Sequence, residues 1–305
     1  MIIVLILLAL LIGAYWYTYP RMGLWLYKTG NSIESKLYGF TKTSIEVNGI
    51  YHSVWQSKNR DKPTLLLIHG FSASYSVWLR FAKHFTTDYN VVIPDLAGHG
   101  ETGFKPEWDY SIESQCTRLE GLLDQLSIDK AHIIGNSMGG FIAAHFGRFH
   151  EQRCLSITLI DPAGVSSPNP SPMLEMLMDG QNPFLVDNRE QFRAFYAMTM
   201  ERPPFVPNSV IDALAEVYIA RKEELAKIFG DYNRQHNYLE TELDKITCPS
   251  LLIWGAHDKL IDVSSVAVWE SGLNCETHVW YDVGHMPMME APERTAFAVK
   301  QFLSR

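Results

Sequence analysis

The chain has 305 residues, 47% of them hydrophobic, and a formal net charge of -8 from 26 basic and 34 acidic side chains. That size and apolar content allow one large buried core, and an acidic balance without a basic cluster interleaved with aromatics argues against a nucleic-acid partner. Metal and organic cofactors are not expected: Cys116, Cys154, Cys248 and Cys275 form no C-x-x-C pair, His150-Glu151-Gln152-Arg153 meets Cys154 where a zinc helix needs its second histidine, and there is no dinucleotide-binding glycine fingerprint or P-loop.

The first segment differs in kind from the rest. Residues 1–19 carry no charged side chain, and about 19 helical residues rise roughly 28 Å, near the thickness of a bilayer's hydrocarbon core. Tyr15, Trp16, Tyr17 and Tyr19 cluster at its end as interfacial aromatics do. A cleaved signal peptide would need a basic start and a small-residue cleavage site, and neither is seen. The pattern predicts an uncleaved, single-pass transmembrane anchor over residues 1–20, with the bilayer as partner. Because Arg21, Lys28, Lys36 and Lys42 all follow the span and no basic side chain precedes it, the remainder is expected on the cytoplasmic side.

Beyond the anchor, apolar runs alternate with helical patterns. Thr64-Leu65-Leu66-Leu67-Ile68 reads as a buried strand running into His69-Gly70-Phe71, and a helical pattern follows over residues 75–86. Asp95, in Ile93-Pro94-Asp95-Leu96, reads as a turn former bonding nearby backbone. A helix is predicted over residues 111–127, a strand over 131–134, a helix over 139–149 and a strand over 155–160. Then the strand rhythm stops. Residues 165–172 form a Ser/Pro loop, and the helical pattern beyond it is broken by Pro203, Pro204 and Pro207. An insertion at this point would hang over the carboxyl edge of the sheet as a helical cap. Strands return at residues 249–255 and 276–281, with helices at 264–271 and 293–303, the last opened by Pro292. The fold class is α/β, a mostly parallel sheet with helices on both faces. The expected division is an anchor at 1–20, a first core part at 21–162, the cap at 163–245 and a second core part at 246–305.

Gly135-Asn136-Ser137-Met138-Gly139 falls between a predicted strand and a predicted helix, the context in which G-x-S-x-G presents a nucleophile on a sharp turn. A serine is a weak nucleophile unless a base takes its proton and a carboxylate orients that base. Asp258 and His285, each just past the carboxyl end of a strand, are assigned to those roles in the order serine, acid, base. Asp161, also past a strand end, is the rival acid. Asp262 fits a helix cap better, His257 adjoins the acid and His278 sits inside a strand. The candidate oxyanion donors are the backbone N–H groups of Phe71 and Met138.

These residues carry a resemblance to the α/β-hydrolases, and within them to the membrane-anchored monoacylglycerol lipases and related cold-adapted bacterial lipases. The matching stretches are His69-Gly70-Phe71, Pro94-Asp95-Leu96, Gly135-Asn136-Ser137-Met138-Gly139-Gly140, Trp254-Gly255 through Asp258, and Gly284-His285 through Glu290. The segment from Asn182-Pro183-Phe184 to Arg202-Pro203-Pro204-Phe205-Val206-Pro207 is similar to the cap of that branch. The resemblance implies a serine ester hydrolase of lipid substrates, foremost a monoacylglycerol lipase working through an acyl-enzyme, with Ser137, Asp258 and His285 as the triad. Two other readings stay open. The same serine motif is similar to that of carbon-carbon bond hydrolases of ring-cleavage products, and a non-catalytic lipid-binding protein could use the same fold.

Overall fold

The computed structural model describes residues 2–19, 21–233 and 239–305. In chain order they form α1 (Ile2–Thr18), α2 (Arg21–Leu37), β1 (Thr41–Val47), β2 (Ile50–Gln56), β3 (Thr64–Ile68), α3 (Leu79–Ala82), β4 (Asn90–Pro94), α4 (Ile112–Gln125), β5 (Ala131–Asn136), α5 (Met138–Phe149) and β6 (Cys154–Ile160). Between β6 and the next strand lie α6 (Pro172–Met178), α7 (Arg189–Thr199), α8 (Asn208–Ala220) and α9 (Lys222–Asn233). The remainder is β7 (Ser250–Gly255), α10 (Ser265–Gly272), β8 (Cys275–Trp280), α11 (Pro287–Glu290) and α12 (Pro292–Leu303).

The strands make one eight-stranded sheet in the order β1-β2-β4-β3-β5-β6-β7-β8. Pairing is parallel from β4 through β8, and β2 is antiparallel to both β1 and β4. Central strands buried on both faces need apolar side chains at every position, and β3 meets this with Leu65, Leu66, Leu67 and Ile68, all fully buried. Two apolar layers result. One holds Leu66, Ile133, Phe146 and Trp254 with α4 and α5; the other holds Leu65, Trp78, Phe81 and Ile253 with α3 and α12.

The transmembrane expectation is corrected here. Helix α1 contains 17 residues, a rise of about 26 Å against the roughly 30 Å of a hydrocarbon core. A second helix starts at Arg21, a charged side chain. Among the described residues no helix is long and apolar enough to cross a membrane. The single-pass anchor over residues 1–20, whose residues 1 and 20 lie outside the described residues, is therefore not supported. Leu5, Ile6, Leu10 and Leu11 of α1 are exposed, while Tyr19, just after it, hydrogen-bonds Asp212 of α8.

Helix α2 was not among the predicted elements, and it packs along α8. The approach is so close that a Cβ on Gly23 would lie 1.9 Å from the carbonyl oxygen of Ser209. Gly23→Ala is therefore expected to destabilise the protein by about 1–3 kcal/mol, an overpacking cost against backbone that cannot rotate away. Chemical denaturation read by tryptophan fluorescence checks it; an unchanged midpoint would mean that α2 does not hold this position in solution.

Candidate active site

The turn between β5 and α5 is built around close backbone approach. A Cβ on Gly135 would lie 1.9 Å from the carbonyl oxygen of Gly139, and one on Gly139 would lie 2.2 Å from that of Ile68. Any side chain at either position would push the strand and helix apart. Ser137, at the apex, has φ +59° and ψ −122°, a backbone conformation that costs on the order of 1–3 kcal/mol for a residue other than glycine. Its amide donates to the carbonyl of Ile160 at 3.1 Å, and its own carbonyl accepts from Phe141 and Ala163. The strain is thus held from both sides.

The structure brings two of the other sequence-assigned residues together. Asp258 follows β7 and His285 follows β8, and both side chains are buried. His285 Nδ1 lies 2.7 Å from Asp258 Oδ2. Asp258 Oδ1 accepts from the amides of Leu260 at 2.7 Å and Ile261 at 3.0 Å. An acceptor-only carboxylate requires Nδ1 of the imidazole to carry its hydrogen, which leaves Nε2 as the free base. Asn136, beside the serine, donates from Nδ2 to the carbonyl of His285 at 3.0 Å and to that of Ile160 at 3.0 Å, so one side chain joins the loop carrying His285 to the turn carrying Ser137. The rivals lie elsewhere in function: His257 Nε2 bonds the carbonyl of Tyr281, His278 pairs with Glu276, and Asp262 accepts from the Ser264 amide just before α10.

Past β3, Gly70 lies so near Ser137 that an added Cβ would stand 3.1 Å from the serine Cβ. Neither the Phe71 nor the Met138 amide has an acceptor among the described residues. His69 accepts from the Leu96 amide through Nε2 at 3.1 Å, so its Nδ1 hydrogen is directed to the carbonyl of Gly70 at 2.8 Å. Burial pushes its pKa down to about 4, which keeps the ring neutral and this turn fixed. Asp95 behaves as a turn former, accepting from the amides of Tyr75 and Glu101 at 2.7 Å each.

One contributor escaped the sequence reading. Glu290 accepts from the amide of Gly284 at 3.0 Å through one oxygen and from those of Glu201 and Arg202 through the other, tying the loop before His285 to the segment inserted after β6. Its position within the motif ending at Glu290 was the available signal. Asp161 was weighed as an acid; it lies instead against Asp258, with φ +44°. The donor atoms of Asp161, Asp258 and His285 come within 4.8 Å of one another. They are a poor cradle for a cation, because Asp258 and His285 already spend their facing atoms on each other. The cysteines are all free thiols.

A strained serine between strand and helix, on a mostly parallel sheet with a buried acid-histidine pair at the same edge, defines a serine hydrolase of the α/β class. The chain belongs to the alpha/beta hydrolase fold family, which it matches over residues 63–292, and it is an ester hydrolase. It is 33% identical to Lipase 1 of Psychrobacter immobilis over 243 residues, 79% of this chain and 76% of that protein. It is 28% identical to monoacylglycerol lipase abhd6-B of Xenopus laevis over 303 residues, 95% of this chain and 85% of the relative. Among solved structures it is similar to a membrane phospholipase A, with 33% identity, a TM-score of 0.90 and coverage of 99% of this chain and 97% of the other.

Proposed function

We propose that the protein hydrolyses the acyl ester of a single-chain lipid, a monoacylglycerol, through an acyl-enzyme on Ser137. The observation that carries this reading is the aromatic wall beside the proposed oxyanion donors. The Phe71 ring meets Phe184 at 4.9 Å and Phe229 at 5.5 Å between centroids, and Phe184 continues to Phe195 at 4.8 Å. Three of these four rings come from the insertion, residues 163–245, which we assign as a cap over the carboxyl edge. Tyr218 of α8 donates to Ser72 Oγ at 2.8 Å, and Arg221 donates to the carbonyl of Gly98 at 2.6 Å, which supports a roof fastened to the loops after β3 and β4. Apolar surface there suits an acyl chain better than a charged substrate.

In the reaction so read, Ser137 Oγ attacks the ester carbonyl while His285 Nε2 takes its proton. Asp258 holds the imidazole tautomer and stabilises the imidazolium. The amides of Phe71 and Met138 receive the developing oxyanion. His285 then protonates the departing alcohol, and water repeats the sequence to release the acid.

Each methylene buried along the wall is worth about 0.8 kcal/mol, so kcat/KM should rise with acyl length until the pocket is full. A series of p-nitrophenyl esters, followed by mono- and triacylglycerols at matched dispersion, tests this. We expect medium to long chains to be preferred and triacylglycerols to be much poorer, since the roof limits entry to one chain and a small alcohol. A profile peaking at acetate, or triacylglycerols outpacing monoacylglycerols, contradicts it. The near full-length likeness to a phospholipase A favours a second reading, a phospholipid acyl ester. Including phosphatidylcholine and lysophosphatidylcholine in the panel separates the two.

A further inference from the structure

We propose that Asp161 is a positioning residue for this reaction, carrying a hydrogen on Oδ2 and donating it to the carboxylate of Asp258, so that the acid is held in line with His285. The inference rests on the triad reading above. Asp161 follows β6 as Asp258 follows β7, and because β6 and β7 are parallel neighbours the two carboxyl groups come together, an oxygen of each lying within 4.8 Å of the other and of a ring nitrogen of His285. The side chain is wholly buried, and its Oδ1 accepts from the Gly255 amide at 2.8 Å. Among the described residues no donor reaches Oδ2. A buried oxygen without a donor is costly when ionised and ordinary when it is itself the O–H.

The hydrogen-bond inventory decides which of the two acids keeps the proton. Asp258 accepts from two amides and an imidazole N–H, whereas Asp161 accepts from one amide. A single proton shared by the pair therefore belongs on Asp161, whose only acceptor among these groups is Asp258. Burial first, and then the charge of Asp258, hold the Asp161 carboxyl well above the usual carboxylate range, with Glu290 adding in the same direction. The charged or titratable groups facing it are Asp258 after β7, His285 after β8 and Glu290 of α11. The left-handed backbone of Asp161, at φ +44°, is strain maintained at a point that touches the acid, as expected of a residue held for orientation rather than for packing.

The test is the acid limb of the pH profile of kcat/KM on a soluble ester, set by protonation of His285, in wild type, Asp161→Asn and Asp161→Leu. Asparagine can accept from Gly255 through Oδ1 and donate to Asp258 through Nδ2, reproducing the protonated acid at the same charge. Its limb should stay in place. Leucine removes the donor and leaves Asp258 with its full charge toward the imidazolium. That limb should move to higher pH by roughly half a unit or more, and kcat should fall on the order of tenfold, about one buried hydrogen bond, with asparagine recovering most of the loss. If the limb of Asp161→Asn moves to lower pH, a negative charge was removed and Asp161 is ionised, which overturns the proposal. Equal losses in both variants with neither limb moved mean a role in shape alone and overturn it as well. Should the leucine variant not fold, Asp161→Ala removes the same donor with a smaller side chain, and its limb is read in place of the leucine one. Fluorophosphonate labelling that survives Ser137→Ala would sink the triad itself; with that control passed, a failed limb test counts against Asp161 only.

Discussion

Replacing Ser137 with alanine is expected to abolish covalent labelling by a fluorophosphonate and to lower turnover by on the order of 10⁶, the scale on which a nucleophile acts when base and acid cannot work without it. The reason is geometric as well as chemical. The turn holds residue 137 at φ +59° through bonds made by its own amide and carbonyl, none of which involves the side chain. Alanine keeps all of them and fits the space that Gly70 leaves around the serine Cβ. The variant should therefore fold and melt as wild type does, apart from the missing hydroxyl. Thermal unfolding measured beside the labelling separates loss of chemistry from loss of structure. Persistent labelling would place the nucleophile on another serine.

In the parallel part of the sheet, β3, β5, β6 and β7 were legible because each is a largely apolar run; β8, Cys275–Trp280, was legible from its alternation, and β4 was not among the predicted elements. The elbow was legible for a sharper reason: Gly135 and Gly139 stand where any Cβ would strike backbone, so the spacing of small residues reports the turn. Other parts were visible but unused. Asn48-Gly49, both at positive φ, is a strong signal for a two-residue hairpin, and it joins β1 to β2. The helix predicted over residues 75–86 shrinks to a tight turn at Tyr75–Trp78 and the short α3. Its continuation is tightened, with His84 donating to the carbonyl of Phe81 and Phe85 to that of Ala82, so periodicity alone overstated its length.

What could not be read is what depends on neighbours in space. Asp161 and Asp258 are 97 positions apart (258 − 161), and only the adjacency of β6 and β7 sets them side by side. The length of α1 is of the same kind. An uncharged run of 19 residues measures composition, while the helix that forms from it ends at Thr18 with another beginning at Arg21.

Asp258→Asn should lower kcat on a soluble ester by on the order of 10⁴ while leaving the fold intact, and the hydrogen bonds around Asp258 give the sign. The amides of Leu260 and Ile261 both point at Oδ1, so an asparagine there keeps its oxygen in that place and turns its NH₂ toward His285. Two N–H groups would then face each other across the 2.7 Å now spanned by Nδ1 and Oδ2. The imidazole escapes by shifting its hydrogen to Nε2, the nitrogen that must accept the proton of Ser137. Catalysis is lost because the base points its hydrogen the wrong way, although every atom of the ring stays in place. The companion variant Asp161→Asn, which keeps an acceptor for Gly255 and adds a donor toward Asp258, should be far milder. If Asp161→Asn proves the more damaging of the two, the working acid stands at the end of β6 rather than β7.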